Sequence, residues 1–381
     1  DFAVERGKPA DVLPLWVADM DFPVSEEITK SLHAAVEHGI YGYTQPKDAY
    51  YNAVMNWMER NHNWKTEREW IVKTPGVVFA LGAAVKAFTD PGDAILIQNP
   101  VYYPFTNIIR DNDRRVVDNT LIYEKTAGQS GDNGYRIDFE DFERKLEQEH
   151  IKLFILCNPH NPVGRVWTAE ELQQLGEICL RHHVIVVSDE IHNDFVYPGY
   201  EHTVFATVDP RFAEFTVTCT APSKTFNLAG LVGSYHIIYN PWLRDRVRRE
   251  AKCTHYNSMN VLSMHALLGA YTPEGKHWVD ELRQVLTENV NYACAYIKEH
   301  FKGVDVSKPE GTYMLFADCT KWCEEHQKTI DDVLKSCWDV GVAVQDGRQF
   351  HGPCHIRMNL ALPLTRVQEA FDRMDRSVFN A

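Results

Sequence analysis

The sequence predicts an α/β protein with a mainly parallel central sheet and a smaller α+β domain. With 381 residues, the chain is too long for one simple core. Strand-like and helix-like segments alternate up to about residue 250, an order typical of a parallel sheet covered on both faces. Long helical patterns and three separated apolar runs follow. We therefore expect a large domain at 36–251 and a small domain made of residues 1–35 and 252–381.

Short apolar runs mark the expected strands of the large domain. They span residues 93–100, 151–159, 184–190 and 215–220, with a further candidate at 234–240. Runs such as LFILC are apolar without alternation, which is typical of a strand buried on both faces. In the small domain, strands are expected at 312–318, 341–345 and 355–361.

Apolar residues at helical spacing predict the helices. They fall at residues 25–39, 49–62, 74–90, 168–183 and 262–302. Thr168 and Glu171 stand at the spacing of a capping box, so the fourth of these helices has a well-defined start.

Charge and cysteine usage restrict the class of protein. The formal net charge of −14 argues against nucleic acid as a partner, because phosphate backbones attract basic surfaces. The nine cysteines are odd in number and scattered, which is typical of reduced thiols in a cytoplasmic protein. Cys319, Cys323 and His326 are close in sequence, but no second pair of ligands completes a metal site. No metal is therefore expected. No run approaches the length of a membrane span, so no membrane segment is expected either.

Candidate site residues follow the predicted strands, because ligands of open parallel sheets collect beyond the carboxyl ends of the strands. Asn161 lies in the turn NPHNPVG, which either presents an amide to a cofactor hydroxyl or is simply a turn before a helix. Asp189 ends the run VIVVSD. A carboxylate at the edge of an apolar sheet needs a partner such as a protonated ring nitrogen, unless it caps a helix.

Lys224 comes soon after the strand-like run at 215–220. A lysine in a dry pocket forms a Schiff base readily, whereas a surface lysine extends into solvent. Gly76 precedes a helix whose free backbone amides favour a phosphate. Tyr102 and Tyr103 follow the run at 93–100, and either ring suits stacking on a flat cofactor or packing in the core. Together these residues indicate one cofactor site.

The stretches NPHNPVG, VVSDEIH and APSKTF resemble, in this order, the aminotransferase class I/II superfamily of fold-type I pyridoxal-phosphate enzymes. The resemblance extends over essentially the whole chain. It implies a mainly parallel seven-stranded sheet in the large domain and pyridoxal 5'-phosphate as the cofactor. It also implies a homodimer whose active sites are shared between subunits.

The resemblance implies roles for the matching residues in cofactor binding. Lys224 would be the catalytic residue that carries the cofactor as a Schiff base, and Asp189 would hold the protonated pyridine nitrogen. Asn161 would bind the ring 3-oxygen, and Tyr102 would stack on the ring. His192 stands where the family usually has a tyrosine and is expected to contact the cofactor.

The phosphate and the substrate are expected to use a second set of residues. For the phosphate these are Gly76, the backbone amides of Val77 and Val78, Ser223, and Tyr43 reaching the partner subunit's site. For the substrate, the resemblance implies that Arg357 clamps the α-carboxylate and that Asn161 lies beside it. Trp16 would line the entrance or anchor the N-terminal segment to the core.

Departures from the family pattern point to one branch of it. Ala221 replaces a common serine and Val232 replaces a common arginine, so other donors are expected to bind the phosphate. LPLWVADMDFP (13–23) and SDEIH resemble the cystathionine β-lyases of the type that includes the maltose-regulon modulator. This implies β-elimination from an amino-acid thioether, giving a thiol, pyruvate and ammonia. The alternatives are an aminotransferase and a lyase with a second, regulatory protein-binding role.

Overall fold

The computed structural model describes residues 2–5, 7–8, 10–124, 133–255 and 258–380. The strands are β1 (Leu13–Leu15), β2 (Ile71–Thr74), β3 (Ala94–Ile97), β4 (Arg115–Asp118), β5 (Ile122–Tyr123), β6 (Tyr135–Arg136), β7 (Leu153–Cys157), β8 (Ile185–Asp189), β9 (Thr216–Thr220), β10 (Ser234–Ile237), β11 (Asp305–Val306), β12 (Met314–Asp318), β13 (Val342–Asp346) and β14 (His355–Asn359).

The α-helices are α1 (Phe2–Glu5), α2 (Glu26–His38), α3 (Asp48–His62), α4 (Val77–Phe88), α5 (Pro104–Asp111), α6 (Phe139–Gln148), α7 (Ala169–Arg181), α8 (Phe205–Val208), α9 (Pro222–Thr225), α10 (Pro241–Cys253), α11 (Val261–Ala270), α12 (Pro273–His300), α13 (Thr320–His326), α14 (Ile330–Asp339) and α15 (Leu364–Met374). Short 3-10 turns occur at Arg68–Trp70, Phe212–Phe215, Ala229–Leu231 and Gly347–Phe350, and a π-helical turn at Asp375–Phe379.

Seven strands form the large sheet, in the order β2-β10-β9-β8-β7-β3-β4. The neighbours from β9 to β4 are all parallel, and β10 is antiparallel to both β9 and β2. The expected mainly parallel seven-stranded sheet is therefore confirmed. β2 and β4 are strands that the sequence did not predict, because both are four residues long and carry charged side chains.

Helices cover both faces of this sheet, because successive strand residues point to opposite sides. Ile95 and Ile155 pack on one side with residues of α4 and α10. Leu96 and Phe154 pack on the other side with residues of α6 and α7. The predicted capping box starts α7: Thr168 Oγ1 accepts a hydrogen bond from the amide of Glu171 at 3.2 Å.

The second sheet has five strands in the order β1-β13-β14-β12-β11. β1 pairs in parallel with β13, with Leu13 opposite Val342, so the start of the chain extends a sheet built from residues beyond 300. β14 is antiparallel to β12 and β13. The smaller α+β unit is thus present, while the exact domain limits at 36 and 251 stay a prediction.

The helical pattern at 262–302 is two helices rather than one. α11 ends at Ala270, and Thr272 accepts a hydrogen bond from the amide of Gly275 at 3.0 Å to cap α12. Pro273 occupies the first turn of α12, where its missing N–H costs nothing. Within the described part of the chain, no helix combines the length and the hydrophobicity that crossing a membrane requires.

Candidate active site

A cavity of about 310 Å³ opens at the carboxyl ends of β7, β8 and β9, where they face the small sheet. Both sheets contribute, together with the start of α4 and the N-terminal segment around Val17. The cavity brings together most of the residues that the sequence pointed to: Gly76, Val77, Val78, Tyr102, Asn161, Asp189, His192, Ser223, Lys224 and Arg357.

Lys224 lies on the single helical turn α9, four residues after β9 ends. Its Nζ donates a hydrogen bond of 3.0 Å to the backbone carbonyl of Ala18. Burial lowers the pKa of Lys224, although Asp19 and Asp189 oppose the shift. The side chain therefore faces the cavity rather than the solvent, which overturns the surface interpretation. A lysine with a lowered pKa is a better nucleophile and base at neutral pH.

Asp189 is the last residue of β8 and is only 4% exposed. One carboxylate oxygen accepts a hydrogen bond from the amide of Ile191 at 3.2 Å. Burial raises the pKa of Asp189 to about 7, and Glu190 adds to this effect, while Ile191 and Lys224 oppose it. The interpretation of Asp189 as a helix cap is wrong, because a turn and not a helix follows β8. A buried carboxylate in this setting favours a cationic partner.

His192 lines the same cavity and is buried. Burial lowers the pKa of His192 to about 3, and the positive charges of Lys224 and Arg357 lower it further. The imidazole is therefore neutral near pH 7. Its ring meets Tyr313 edge-on at 5.7 Å, and its Nδ1 has no hydrogen-bond partner within the described residues.

The start of α4 forms one end of the cavity. Gly76 is the N-cap residue and offers no side-chain cap, so the first amides of α4 have no partner within the helix. A Cβ at Gly76 would meet nothing within 4 Å, so the space in front of these amides is open. Ser223 lines the same cavity. This arrangement suits a phosphate group.

Val232 also lines the cavity, at the position where the family commonly has an arginine. Its φ of 54° lies in the left-handed region, which a β-branched residue seldom adopts. The side chain is 45% exposed and supplies no charge. The phosphate end therefore relies on backbone amides and a hydroxyl within the described part of this chain.

Arg357 projects from β14 into the other end of the cavity and is 3% exposed. Its guanidinium donates to Asn161 Oδ1 at 3.3 Å, to the carbonyl of Trp16 at 2.9 Å, and to Gln345. The ring of Phe350 lies 4.5 Å from the guanidinium carbon. Burial lowers the pKa of Arg357 to about 10, so the group stays cationic at neutral pH. Its Nε is buried without a partner among the described residues, and Arg357 lines the cavity.

Of the two tyrosines expected at the site, one lines the cavity and the other does not. Tyr102 lines the cavity, its ring 5.6 Å from that of Tyr103, and burial raises the pKa of Tyr102 to about 12. Tyr43 is fully exposed and is not among the lining residues. Its expected contact with the partner subunit's phosphate stays a prediction.

Trp16 reaches the site through its backbone. Its carbonyl accepts the hydrogen bond from Arg357, while its indole packs edge-on against Trp338 at 5.5 Å. The indole is not among the groups that line the cavity. This placement fits the anchoring interpretation of Trp16 and not the entrance-lining one.

The N-terminal segment at 16–20 forms one wall of the site, and the sequence analysis missed the residues that hold it there. Asn359 Nδ2 donates to the carbonyl of Val17 at 2.7 Å, and the Tyr313 hydroxyl donates to that of Ala18 at 3.0 Å. Asn227 pairs with both the amide and the carbonyl of Met20. Asn359 could have been predicted as a site residue from the alternation of side chains along β14, because it is two residues from Arg357 and lies on the same face of the strand.

The site therefore combines a lysine of lowered pKa, a buried carboxylate, free amides at a helix start and a buried guanidinium. These groups fit a flat, anionic cofactor with a basic ring nitrogen, as the sequence analysis expected. Within the described ranges, no group of three histidine, cysteine or acidic side chains is placed to hold a metal ion. The fold and the site are those of a fold-type I pyridoxal-phosphate enzyme, in which a lysine carries the cofactor.

Comparison with known proteins agrees with this class. The chain belongs to the aminotransferase class I and II family, whose model matches residues 10–374. It is 40% identical over 367 residues to cystathionine beta-lyase PatB of Bacillus subtilis, covering 96% of this chain and 92% of the relative. It is 30% identical over 376 residues to protein MalY of Escherichia coli, covering 97% and 92%.

A solved structure supports the same family assignment. The PLP-bound C–S lyase from Staphylococcus hominis superposes with a TM-score of 0.88 at 31% identity, covering 96% of this chain and 91% of that one. The chain therefore shares the family's architecture along nearly its whole length.

Proposed function

We propose that this protein is a pyridoxal-phosphate-dependent carbon–sulfur lyase of the cystathionine β-lyase type. The observation that carries the proposal is the convergence of Lys224, Asp189 and Arg357 in one cavity, in a chain similar to named β-lyases. The reaction would split the Cβ–S bond of a cysteine thioether. Its products are a thiol, which is homocysteine when cystathionine is the substrate, together with pyruvate and ammonia.

The cavity offers a partner for each part of pyridoxal 5'-phosphate. Lys224 would attach the cofactor, Asp189 would hold the ring nitrogen, and Asn161 would bind the 3-oxygen. Tyr102 and His192 line the cavity beside these groups, and the phosphate would meet the start of α4 at Gly76, Val77 and Val78, with Ser223. When bound, the cofactor supplies an electron sink for charge that develops at the substrate Cα.

The protein's own groups would position the substrate and move its proton. Arg357, which lines the cavity, would bind the α-carboxylate through its guanidinium. When the substrate is bound, the Lys224 amine would be free to accept the Cα proton. The lowered pKa of Lys224 favours the neutral amine that this step requires. The sulfur would then leave Cβ as a thiolate, and water would hydrolyse the remaining aminoacrylate to pyruvate and ammonia.

An aminotransferase would share these steps up to removal of the proton. It differs in returning the proton to the cofactor and in needing a keto acid as acceptor. The similarity to PatB over 96% of the chain favours the lyase. A second, regulatory protein-binding role stays a prediction from the sequence alone.

We further propose that the protein acts as a cytoplasmic homodimer with shared sites. The exposed apolar side chains Ile40, Tyr41 and Tyr43 support this assembly, because they form a continuous stretch that a second subunit would cover. A test is the mass of the protein in solution: a dimer is expected, and a monomer at micromolar concentration would contradict the proposal.

The reaction is tested by incubating the purified protein with L-cystathionine and pyridoxal 5'-phosphate, without any keto acid. We expect equal amounts of homocysteine, pyruvate and ammonia. The matched variants are Lys224→Ala, which should be inactive, and Lys252→Ala, which replaces an exposed lysine of α10 and should be unaffected. Turnover that requires an added keto acid would instead place the protein among the aminotransferases.

A further inference from the structure

Two thiols beside the five-stranded sheet lie in direct contact. Cys354 Sγ donates a hydrogen bond to Cys323 Sγ across 3.6 Å. Cys354 lies in the turn just before β14 and is partly exposed, whereas Cys323 lies on α13 and is 6% exposed. Neither residue belongs to the active-site cavity. One member of the pair is thus open to small reagents, and the other is within its reach.

The backbone already holds the two segments together. The amide of Cys319 donates to the carbonyl of Cys354 at 2.8 Å, and the amide of Cys323 donates to the carbonyl of Cys319 at 2.9 Å. A disulfide has an S–S distance of about 2.05 Å, so rotation of the two side chains, together with a small shift of the turn before β14, has to bring the sulfurs about 1.5 Å closer. The proximity of the two segments favours this pairing over one with a distant thiol.

We propose that Cys323 and Cys354 are a redox-modification site that forms a reversible disulfide when the protein meets a hydroperoxide. The Cys354 thiolate attacks one peroxide oxygen, giving a sulfenic acid and releasing an alcohol or water. The Cys323 sulfur then displaces the hydroxyl group as water, and the disulfide forms. Two thiols are oxidised by two electrons, and one hydroperoxide is reduced.

The order of attack follows from the surroundings of the two thiols. Burial raises the pKa of Cys323 to about 12, and the contact with Cys354 adds to this. The thiolate is the nucleophile, so the more exposed Cys354 reacts first. Its oxidation removes the thiol contact that helps to raise the pKa of Cys323, and Cys323 then resolves the product. Cys319 and Cys337 are fully buried nearby and have no exposure to a reagent.

The disulfide would act on the active site through β14. Cys354 lies three residues before Arg357 in the chain. It also lies four residues after Phe350, whose ring is against the Arg357 guanidinium. Drawing Cys354 towards α13 would shift this ring and weaken the grip on the substrate carboxylate. This consequence rests on the proposed function, whereas formation of the disulfide does not.

Peptide mapping tests the modification without reference to activity. The holoenzyme is treated with hydrogen peroxide, alkylated with iodoacetamide, digested and analysed by mass spectrometry. We expect a cross-linked Cys323–Cys354 peptide that disappears after reduction with dithiothreitol. Cys354→Ser should abolish it, and Cys253→Ser, which removes an exposed thiol elsewhere, should leave it unchanged. Alkylation of both thiols after peroxide, or linkage to another cysteine, would overturn the proposal.

Kinetics then test the link to Arg357. Oxidation should raise KM for the amino-acid substrate several-fold and change kcat less than twofold, with reversal by dithiothreitol and no effect in Cys354→Ser. Equal KM before and after confirmed cross-linking would overturn this link. A protein that is inactive before oxidation but still forms the cross-link would contradict the proposed reaction and not the redox site.

Discussion

Lys224 Nζ lies 3.0 Å from the backbone carbonyl of Ala18, although 206 residues separate them in the chain. The Tyr313 hydroxyl donates to the same carbonyl, also at 3.0 Å. The N-terminal segment therefore forms part of the lysine site through its backbone. The stretch LWVADMDFP therefore contributes to the site through the position of its backbone, and Val17 and Ala18 within it line the cavity.

Asn359→Ala tests the attachment of this segment. Asn359 donates to the carbonyls of Val17 and Asp19, so its loss leaves two backbone acceptors without their donor. We expect the free energy of unfolding to fall by about 1–3 kcal/mol and KM to rise several-fold. Chemical denaturation and steady-state kinetics measure these effects. Asn380→Ala removes an exposed asparagine and is the control; equal behaviour of the two variants would contradict the attachment.

Arg357→Lys tests the carboxylate clamp. Lysine keeps the charge but lacks the planar fork that binds a carboxylate at two points. We expect KM to rise at least about tenfold, equivalent to about 1.4 kcal/mol, with a smaller change in kcat. Arg366→Lys, at an exposed position of α15, is the matched control. An unchanged KM in Arg357→Lys would show that another group binds the substrate carboxylate.

Asp189→Asn tests the burial of the carboxylate through the pH dependence of stability. The pKa of Asp189 is about 7 in the folded protein, whereas an aspartate in the unfolded chain has its ordinary pKa of 3.8. The folded state therefore binds the proton more strongly than the unfolded state. The cofactor-free protein should lose stability as pH rises from about 4 to about 7, by on the order of 4 kcal/mol at most.

The asparagine variant lacks this titration. Its free energy of unfolding should therefore change less over the same pH range when both proteins are denatured with urea after removal of the cofactor. Parallel curves for the two proteins would mean that Asp189 stays ionised in the folded state, held by a group other than the cofactor.

His192 makes a prediction about the pH–rate profile. Because burial keeps the pKa of His192 at about 3, the ring does not titrate between pH 5 and pH 9. We expect His192→Gln to keep the apparent pKa values of kcat/KM unchanged, whatever its effect on the maximal rate. A limb between pH 5 and pH 8 that vanishes in the variant would show that His192 is protonated during turnover.

The sequence predicted the central part of the site well because the chemistry follows local rules. Asp189 and Lys224 come after buried strands, and the carboxyl ends of parallel strands meet at one edge of the sheet. Asn161 follows the adjacent strand β7 in the same way. The signal in each case was a polar residue at the end of an apolar run or within four residues of it.

The other parts depend on contacts that local patterns do not encode. Gln345 of β13 and Phe350 of the 3-10 turn after it reach Arg357. Tyr313, just before β12, reaches Ala18 from almost 300 residues away. The pairing of β1 with β13 places the start of the chain beside these groups. The indole of Trp16 was similarly undecided until its contact with Trp338 was visible.

The most direct test of the central claim is the attachment point of the cofactor. The protein is loaded with pyridoxal 5'-phosphate, reduced with borohydride, digested and analysed by mass spectrometry. We predict that the cofactor's mass is added to the peptide containing Lys224, and that Lys224→Ala carries no adduct while Lys252→Ala is labelled like the wild type. A stable adduct on another lysine, or full labelling of Lys224→Ala, would contradict the assignment.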